Sequence, residues 1–124
     1  MGLFSKLKLS NSTDGRAVVV AASSNASPTL LHATPTANTN ITDEVWLYAV
    51  NSSTSTVKLT LLWGGTTEPN DTIELSVAGE SGLVLLVPGL MLQSNTSPNG
   101  RSVQAFANVA SVINIHGYIN RIEP

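Results

Sequence analysis

The sequence contains no cysteine and is poor in charged residues. Without cysteine, disulfide bonds, thiolate metal ligands and a cysteine nucleophile are excluded. Apolar runs such as Leu83–Val87 are far too short to cross a bilayer, so no membrane partner is expected. Charged residues make up 11% of the 124 positions and the formal net charge is −2. Nucleic acid is therefore not expected as a partner, because its binding depends on a basic surface.

Residues that carry out chemistry are equally scarce. His32 and His116 are the two histidines, and neither lies in a His-x-His or Glu-x-x-His pattern that would indicate a metal site. Ser81 lies in "GESG", which is not the Gly-x-Ser-x-Gly pattern of a nucleophile elbow. The carboxylates of "WGGTTEPND" (63–71) lack the spacing of a calcium loop. The sequence thus indicates a protein that is not an enzyme and that needs no metal or cofactor.

Serine, threonine and asparagine are abundant, and short apolar blocks alternate with turn residues. This pattern predicts strands separated by Gly, Pro, Asn and Ser clusters, without helices. The predicted strands are 15–22, 27–35, 42–51, 55–63, 72–77, 83–92, 102–109 and 112–122. About eight short strands favour an all-β fold, an antiparallel β-sandwich with jelly-roll topology. We expect one domain over residues 15–124, preceded by an extended N-terminal arm over residues 1–14.

The predicted arm is basic and partly apolar. The candidate contact residues are Leu3, Phe4, Lys6 and Lys8 in the arm and Arg16 just after it, and Asp14 is the one acidic residue among the first sixteen. Such a segment can dock on an acidic surface. It can equally be a solvated chain terminus, and the sequence leaves both interpretations open.

The segment 42–51 is predicted to pair with 55–63 as a hairpin, and it is apolar on both faces. Val45, Leu47 and Ala49 alternate with Trp46, Tyr48 and Val50. The segment 83–92 is also apolar on both faces, which is typical of a fully covered strand. A single domain of this size has one core, so a second apolar face needs a partner chain or the N-terminal arm. We therefore predict that Trp46, Tyr48 and Val50 form a contact between copies of the chain.

The two tryptophans have three possible roles. Trp46 and Trp63 could stack on sugars, anchor a protein interface or pack in the core. Trp63 precedes Gly64 at the end of a predicted strand, where a core-capping position is natural. The role of Trp46 stays open.

Three blocks of the sequence resemble a known family. The runs "TDEVWLYAVNSSTSTVKLTLLWGG", "SGLVLLVPGLML" and "HGYINRI" are similar to small head decoration, or cement, proteins of tailed bacteriophages, over roughly residues 29–122. The resemblance implies a sandwich or jelly roll that sits on the outer surface of the capsid as a homodimer or homotrimer. It implies no enzyme activity, and a role in clamping neighbouring major capsid proteins.

Other functions remain open. A carbohydrate- or receptor-binding module would use Trp46 or Trp63, and a tail or head–tail connector component would use the same kind of sandwich. A hydrolase is the weakest alternative. With the resemblance, the basic arm becomes the expected contact with the shell.

Overall fold

The computed structural model of the chain describes residues 2–36, 40–94 and 101–124. In these residues nine strands form two antiparallel sheets. The strands are β1 (Leu3–Lys8), β2 (Val18–Val19), β3 (Thr29–Ala33), β4 (Thr42–Asn51), β5 (Val57–Trp63), β6 (Thr72–Val77), β7 (Val84–Gln93), β8 (Ser102–Ala107) and β9 (Ile113–Glu123). The first sheet has the order β1-β9-β4-β7, with β2 also paired to β9, and the second has the order β3-β8-β5-β6. No helix that could span a membrane occurs in this part of the chain.

The predicted all-β sandwich is confirmed, and each predicted strand overlaps one observed strand. The segments 42–51 and 72–77 coincide with β4 and β6, whereas 15–22 shortens to the two residues of β2. The alternation of apolar and polar residues is thus sufficient to locate most strands of this chain. The jelly-roll topology stays a prediction.

The core lies between the sheets and is built from alternate strand positions. On β4, Val45, Leu47 and Ala49 are fully buried, and on β5 Leu59 and Leu61 face them from the second sheet. Burying one such leucine or valine contributes about 1.5–3 kcal/mol. β4 lies between β9 and β7, so it is a central strand of the first sheet.

The predicted hairpin is wrong, because β4 and β5 lie in different sheets. β4 pairs with β7 and β9, whereas β5 pairs with β6 and β8. The polar turn after β4 therefore carries the chain from one sheet to the other. β5 is an interior strand, and Thr60 and Leu62 on its outer side are buried while Lys58 is exposed.

Residues predicted as an N-terminal arm include a strand of the first sheet. β1 pairs antiparallel with β9, from Leu3 opposite Glu123 to Lys8 opposite Tyr118. Only Ser5 of its six side chains is partly buried. β1 is thus an edge strand whose backbone pairing, rather than core burial, keeps it in place. Leu9 follows it directly and is buried in the core.

β7 is also an edge strand, although its apolar sequence is typical of a covered strand. Within the described residues it pairs only with β4, and in the single chain Leu85 and Met91 are 50% and 51% exposed. Its pairing with β4 shifts twice, between Val45 and Trp46 and between Leu47 and Tyr48. Such bulges twist an edge and disfavour its pairing with other chains.

Candidate interaction surface

The outer face of the first sheet is the side that points away from the core. Its members include Phe4, Lys6 and Lys8 on β1, Glu44, Trp46, Tyr48 and Val50 on β4, Leu85 on β7, and His116, Tyr118 and Asn120 on β9. These positions alternate with core positions because successive strand residues point to opposite faces. The chain has two tryptophans, two tyrosines and two phenylalanines, and four of these six lie on this face.

Trp46 lies at the centre of this face and is half-buried. Its indole ring is stacked with Tyr118 of β9, with ring centroids 6.1 Å apart and planes at 7°. On the β7 side the ring lies against Gly89, where an added Cβ would come within 3.1 Å of the indole. A glycine in β7 therefore makes room for the indole to lie along the sheet.

A carboxylate fixes the indole from within β4. Trp46 Nε1 donates a hydrogen bond to Glu44 Oε1 at 2.7 Å, and Asn120 Nδ2 donates to the same oxygen at 2.9 Å. The hydrogen bonds from Trp46 and Asn120 lower the pKa of the Glu44 carboxyl. Glu44 is therefore anionic at neutral pH and holds the indole in position.

A lysine covers part of the aromatic pair. Lys6 Nζ lies 4.7 Å from the centroid of the Tyr118 ring, within the range of a cation–π interaction. A row of side chains from Lys6 through Tyr118 to Trp46 thus crosses three neighbouring strands. This row links the basic edge of the sheet to its aromatic centre.

The structure brings together residues that the sequence assigned to two surfaces. Phe4, Lys6 and Lys8, predicted as shell contacts, share the outer face of the first sheet with Trp46 and Tyr48, predicted as a contact between copies. Val50 lies on the same face, opposite Asn114 of β9. One partner surface could therefore contact both predicted sets.

The two remaining predicted residues lie elsewhere. Leu3 points to the other side of β1 from Phe4 and is 62% exposed. Arg16 lies between β1 and β2, where it lines an open cavity with Val19 and His116. Arg16 is thus adjacent to the outer face of the first sheet but not part of its strands.

Trp63 is not part of this face. It lies at the end of β5 in the second sheet, is partly buried and packs against the core. Among its three possible roles, the core-capping one agrees with this position.

A polar cluster is buried between the sheets. Asp43 of β4 is fully buried and accepts hydrogen bonds from His32 Nε2 at 2.7 Å and from Arg121 Nε and Nη2 at 2.8 and 3.0 Å. The Ser10 backbone N–H donates to His32 Nδ1 at 3.0 Å, so the ring proton is on Nε2. Burial raises the pKa of Asp43, but the hydrogen bonds from His32 and Arg121 outweigh it and hold that pKa below its usual value.

This cluster ties the two sheets together. His32 belongs to β3 in the second sheet, whereas Asp43 and Arg121 belong to the first. His32 is 1% exposed, so its ring does not reach solvent. A polar cluster whose members are hydrogen-bonded to one another and shielded from solvent is typical of a structural role. In the described part of the chain, no three His, Asp or Glu side chains are grouped as a metal site.

Several residues of the face could not be found from the sequence. Tyr118, Glu44, Asn120 and Gly89 contribute contacts to Trp46 or Tyr118. Tyr118 is more than 70 positions from Trp46, and only the pairing of β9 with β4 places the two rings side by side. The alternation of β9 does place Tyr118 on one face with His116, which is the signal that the sequence offered.

Comparison with protein-family models, with curated proteins and with solved structures found no match. Function is therefore argued from the fold and from the outer face of the first sheet.

Proposed function

We propose that this chain is a structural, non-enzymatic virion protein that binds the outside of a tailed-phage capsid. It stabilises the shell by holding neighbouring major capsid proteins together. Its partners are the major capsid protein and further copies of the chain, and it uses no nucleic acid, membrane, metal or cofactor.

The observation that carries the proposal is the outer face of the first sheet. Four aromatic side chains and two lysines are gathered on one side of a sheet, and Trp46 is held in place by Glu44 and Tyr118. Aromatic residues with a fixed orientation are typical anchors of protein interfaces. A face of this kind suits a broad protein surface better than a small substrate.

The strand order supports the jelly-roll topology that belongs to this proposal. Apart from β1, the sheets have the orders β2-β9-β4-β7 and β3-β8-β5-β6, with four strands each. An eight-stranded jelly roll has two such sheets, and the architecture is frequent in viral capsid proteins. This support is an analogy of fold, and the role itself depends on the outer face.

The test uses particles of the phage that encodes this sequence, prepared without the chain. The purified chain is then added back to these particles. We expect the chain to remain on the particles after gradient purification and to raise the temperature at which they release their DNA. A particle reconstruction should place the outer face of the first sheet against the major capsid protein. Failure of the chain to bind these particles would contradict the proposal.

A matched pair of leucine variants distinguishes a contact through the outer face of the first sheet from a general effect of a new surface charge on binding. Leu85 is 50% exposed and lies opposite Tyr48 on the outer face of the first sheet, whereas Leu83 is 60% exposed and precedes β7. We expect Leu85→Lys to weaken retention on particles at least tenfold, because it places a charge within the apolar contact. Leu83→Lys should retain binding. Equal retention of the two variants would exclude this face as the docking surface.

A sugar-binding module is the second candidate, and the stacked Trp46–Tyr118 pair is the observation that favours it. Lys6 lies over one side of the Tyr118 ring, which reduces the aromatic surface open to a sugar. A glycan array distinguishes the two candidates. Binding that is lost in Trp46→Phe and kept in Trp63→Phe would favour the sugar.

A further inference from the structure

Two edge strands of the sandwich are matched in length. β1 ends the first sheet and pairs only with β9, while β6 ends the second sheet and pairs only with β5 within the described ranges. Each strand has six residues. An edge strand presents unpaired backbone N–H and C=O groups that another strand can bind.

β1 carries all of its charge on one side. Lys6 and Lys8 are exposed on the outer side, together with Phe4. Leu3 and Leu7 lie on the core side, where they are 62% and 39% exposed. The core side of β1 therefore has apolar surface that its own sandwich leaves uncovered.

β6 has the opposite charge on its outer side. Glu74 is exposed and forms an ion pair with Lys58 of β5, with Nζ and Oε2 2.8 Å apart. The hydrogen bond and the charge of Glu74, together with the charge of Glu68, raise the pKa of Lys58. Two carboxylates thus surround one lysine, and this side of β6 carries an excess of negative charge.

We propose that β1 of one copy pairs antiparallel with β6 of a second copy, with Lys6 opposite Glu74. Directly opposed residues share a face of the sheet. In this register Leu7 opposes Ile73 on the core side, while Lys8 is diagonal to Glu74 on the outer side. Ser5 opposes Leu75 and Phe4 opposes Ser76, and Leu3 opposes Val77, which its own core already buries. The basic edge therefore meets the acidic edge, and Leu7 gains an apolar neighbour. The contact rests on the self-association in the proposed function but does not require a capsid.

Pairing of like edges is less favourable. Two β1 strands side by side bring four lysines onto one face, because each strand contributes Lys6 and Lys8. Lysines on an edge strand disfavour such pairing. A β1–β6 contact leaves one β1 and one β6 free at the ends of each pair of copies. It therefore continues into a closed ring, such as a trimer, or into an open chain.

The test measures the molar mass of the purified full-length chain by light scattering after size exclusion, over a range of concentrations. We expect the mass to rise with concentration above the 13.0 kDa of one copy. Lys6→Glu with Lys8→Glu should weaken the association at least tenfold. Glu74→Lys with Lys58→Glu should do the same, because this exchange keeps an ion pair within the copy but reverses the charge at position 74.

An equimolar mixture of the two variants provides the rescue. Each β1 then finds a β6 of opposite charge, so the mass should rise again. Arg101→Glu changes an exposed charge outside both β1 and β6, so it is the control and should associate like the unchanged chain. Association unaffected by the charge changes, or a chain that is monomeric at every concentration, would overturn the proposal.

Hydrogen exchange gives a second measurement that needs no variant. We expect the amides of β1 and β6 to become more protected as concentration rises, while those of β3 do not. Protection on β7 and β4 instead would overturn the proposal in favour of a face-to-face contact. Leu85→Lys should lose particle binding and keep this association, so failure of the edge contact and failure of the capsid role can be told apart.

Discussion

Among single residues, Asp43 has the largest effect on how the sandwich closes. It is fully buried and accepts three hydrogen bonds, from one residue of the second sheet and one of the first. Its partner Arg121 is 19% exposed, so most of the ion pair is withdrawn from water. Loss of one partner of such a pair leaves the other charge buried and uncompensated.

We expect Asp43→Asn to lower the free energy of unfolding by about 3 kcal/mol, because breaking a buried ion pair has an effect of this size. Urea unfolding at pH 7 measures it. Asp14→Asn is the matched control, since Asp14 is exposed and has no ion pair within the described residues. A loss no larger than in this control would mean that the cluster does not stabilise the sandwich.

The same residue predicts how stability depends on pH. The pKa of Asp43 is lower in the folded state than the unfolded value of about 3.9, so the unfolded chain takes up the proton first as pH falls. The contribution of Asp43 is complete above the unfolded pKa and is lost as pH falls through the folded pKa. Unfolding of the unchanged chain and of Asp43→Asn between pH 6 and pH 2 should therefore converge in acid. A constant difference would contradict this linkage.

Among the strands, β7 depends on a glycine at its bulge. Gly89 has φ of +83°, and a Cβ there would meet the Trp46 indole. Gly82, before β7, has φ of +76° with no atom within 4 Å of an added Cβ. Replacement of either glycine by alanine strains the backbone by about 1 kcal/mol or more, but only Gly89→Ala also displaces the indole.

We therefore expect Gly89→Ala to destabilise the chain more than Gly82→Ala, by about 1 kcal/mol, which is typical of moderate overpacking. Because both variants strain the backbone, the difference between their free energies of unfolding reports the displacement of the indole alone. Gly89→Ala should also shift the tryptophan fluorescence of the folded state, which Gly82→Ala should leave unchanged. Equal stability and equal spectra would mean that Trp46 can move without cost.

The strands differ in how well the sequence predicted them. β6 was predicted residue for residue because its apolar positions alternate with polar ones, and β4 because turn residues bound its apolar run. β1 was missed although Leu7 alternates with Lys6 and Lys8, because its basic, exposed residues are equally typical of an extended terminus. In β7 apolar residues alternate with apolar residues, so the sequence did not show that it is an edge strand.

Contacts between strands that are far apart in the sequence could not be predicted from it. The apolar second face of β4 was recognised, but its cover includes Tyr118 and Gly89 from two other strands. Their positions depend on the register of β9 and β7 against β4, which is set by pairing over long separations. The same holds for Asp43, whose partners His32 and Arg121 lie on two other strands.

The molecule as a whole has an uneven distribution of charge despite its net charge of −2. Lys6, Lys8 and Arg16 lie on and beside β1, whereas Glu68, Asp71 and Glu74 lie on and before β6. A chain with opposite charges at two edges attracts a second copy in a head-to-tail orientation and repels one in a like-to-like orientation. In the proposed contact between copies, partner choice therefore depends on the whole charge pattern and not on one pair of residues.

This pattern predicts that self-association weakens with salt. Raising NaCl from 0.1 M to 1 M shortens the screening length from about 10 Å to about 3 Å, so exposed ion pairs between copies lose most of their attraction. We expect the dissociation constant, measured by sedimentation, to rise about tenfold, which is 1.4 kcal/mol and equivalent to about two exposed ion pairs. The Lys6→Glu, Lys8→Glu variant should instead associate more tightly as NaCl rises, because salt screens the repulsion between its β1 and Glu74. Association of the unchanged chain that strengthens with NaCl would indicate that apolar burial, and not charge, joins the copies.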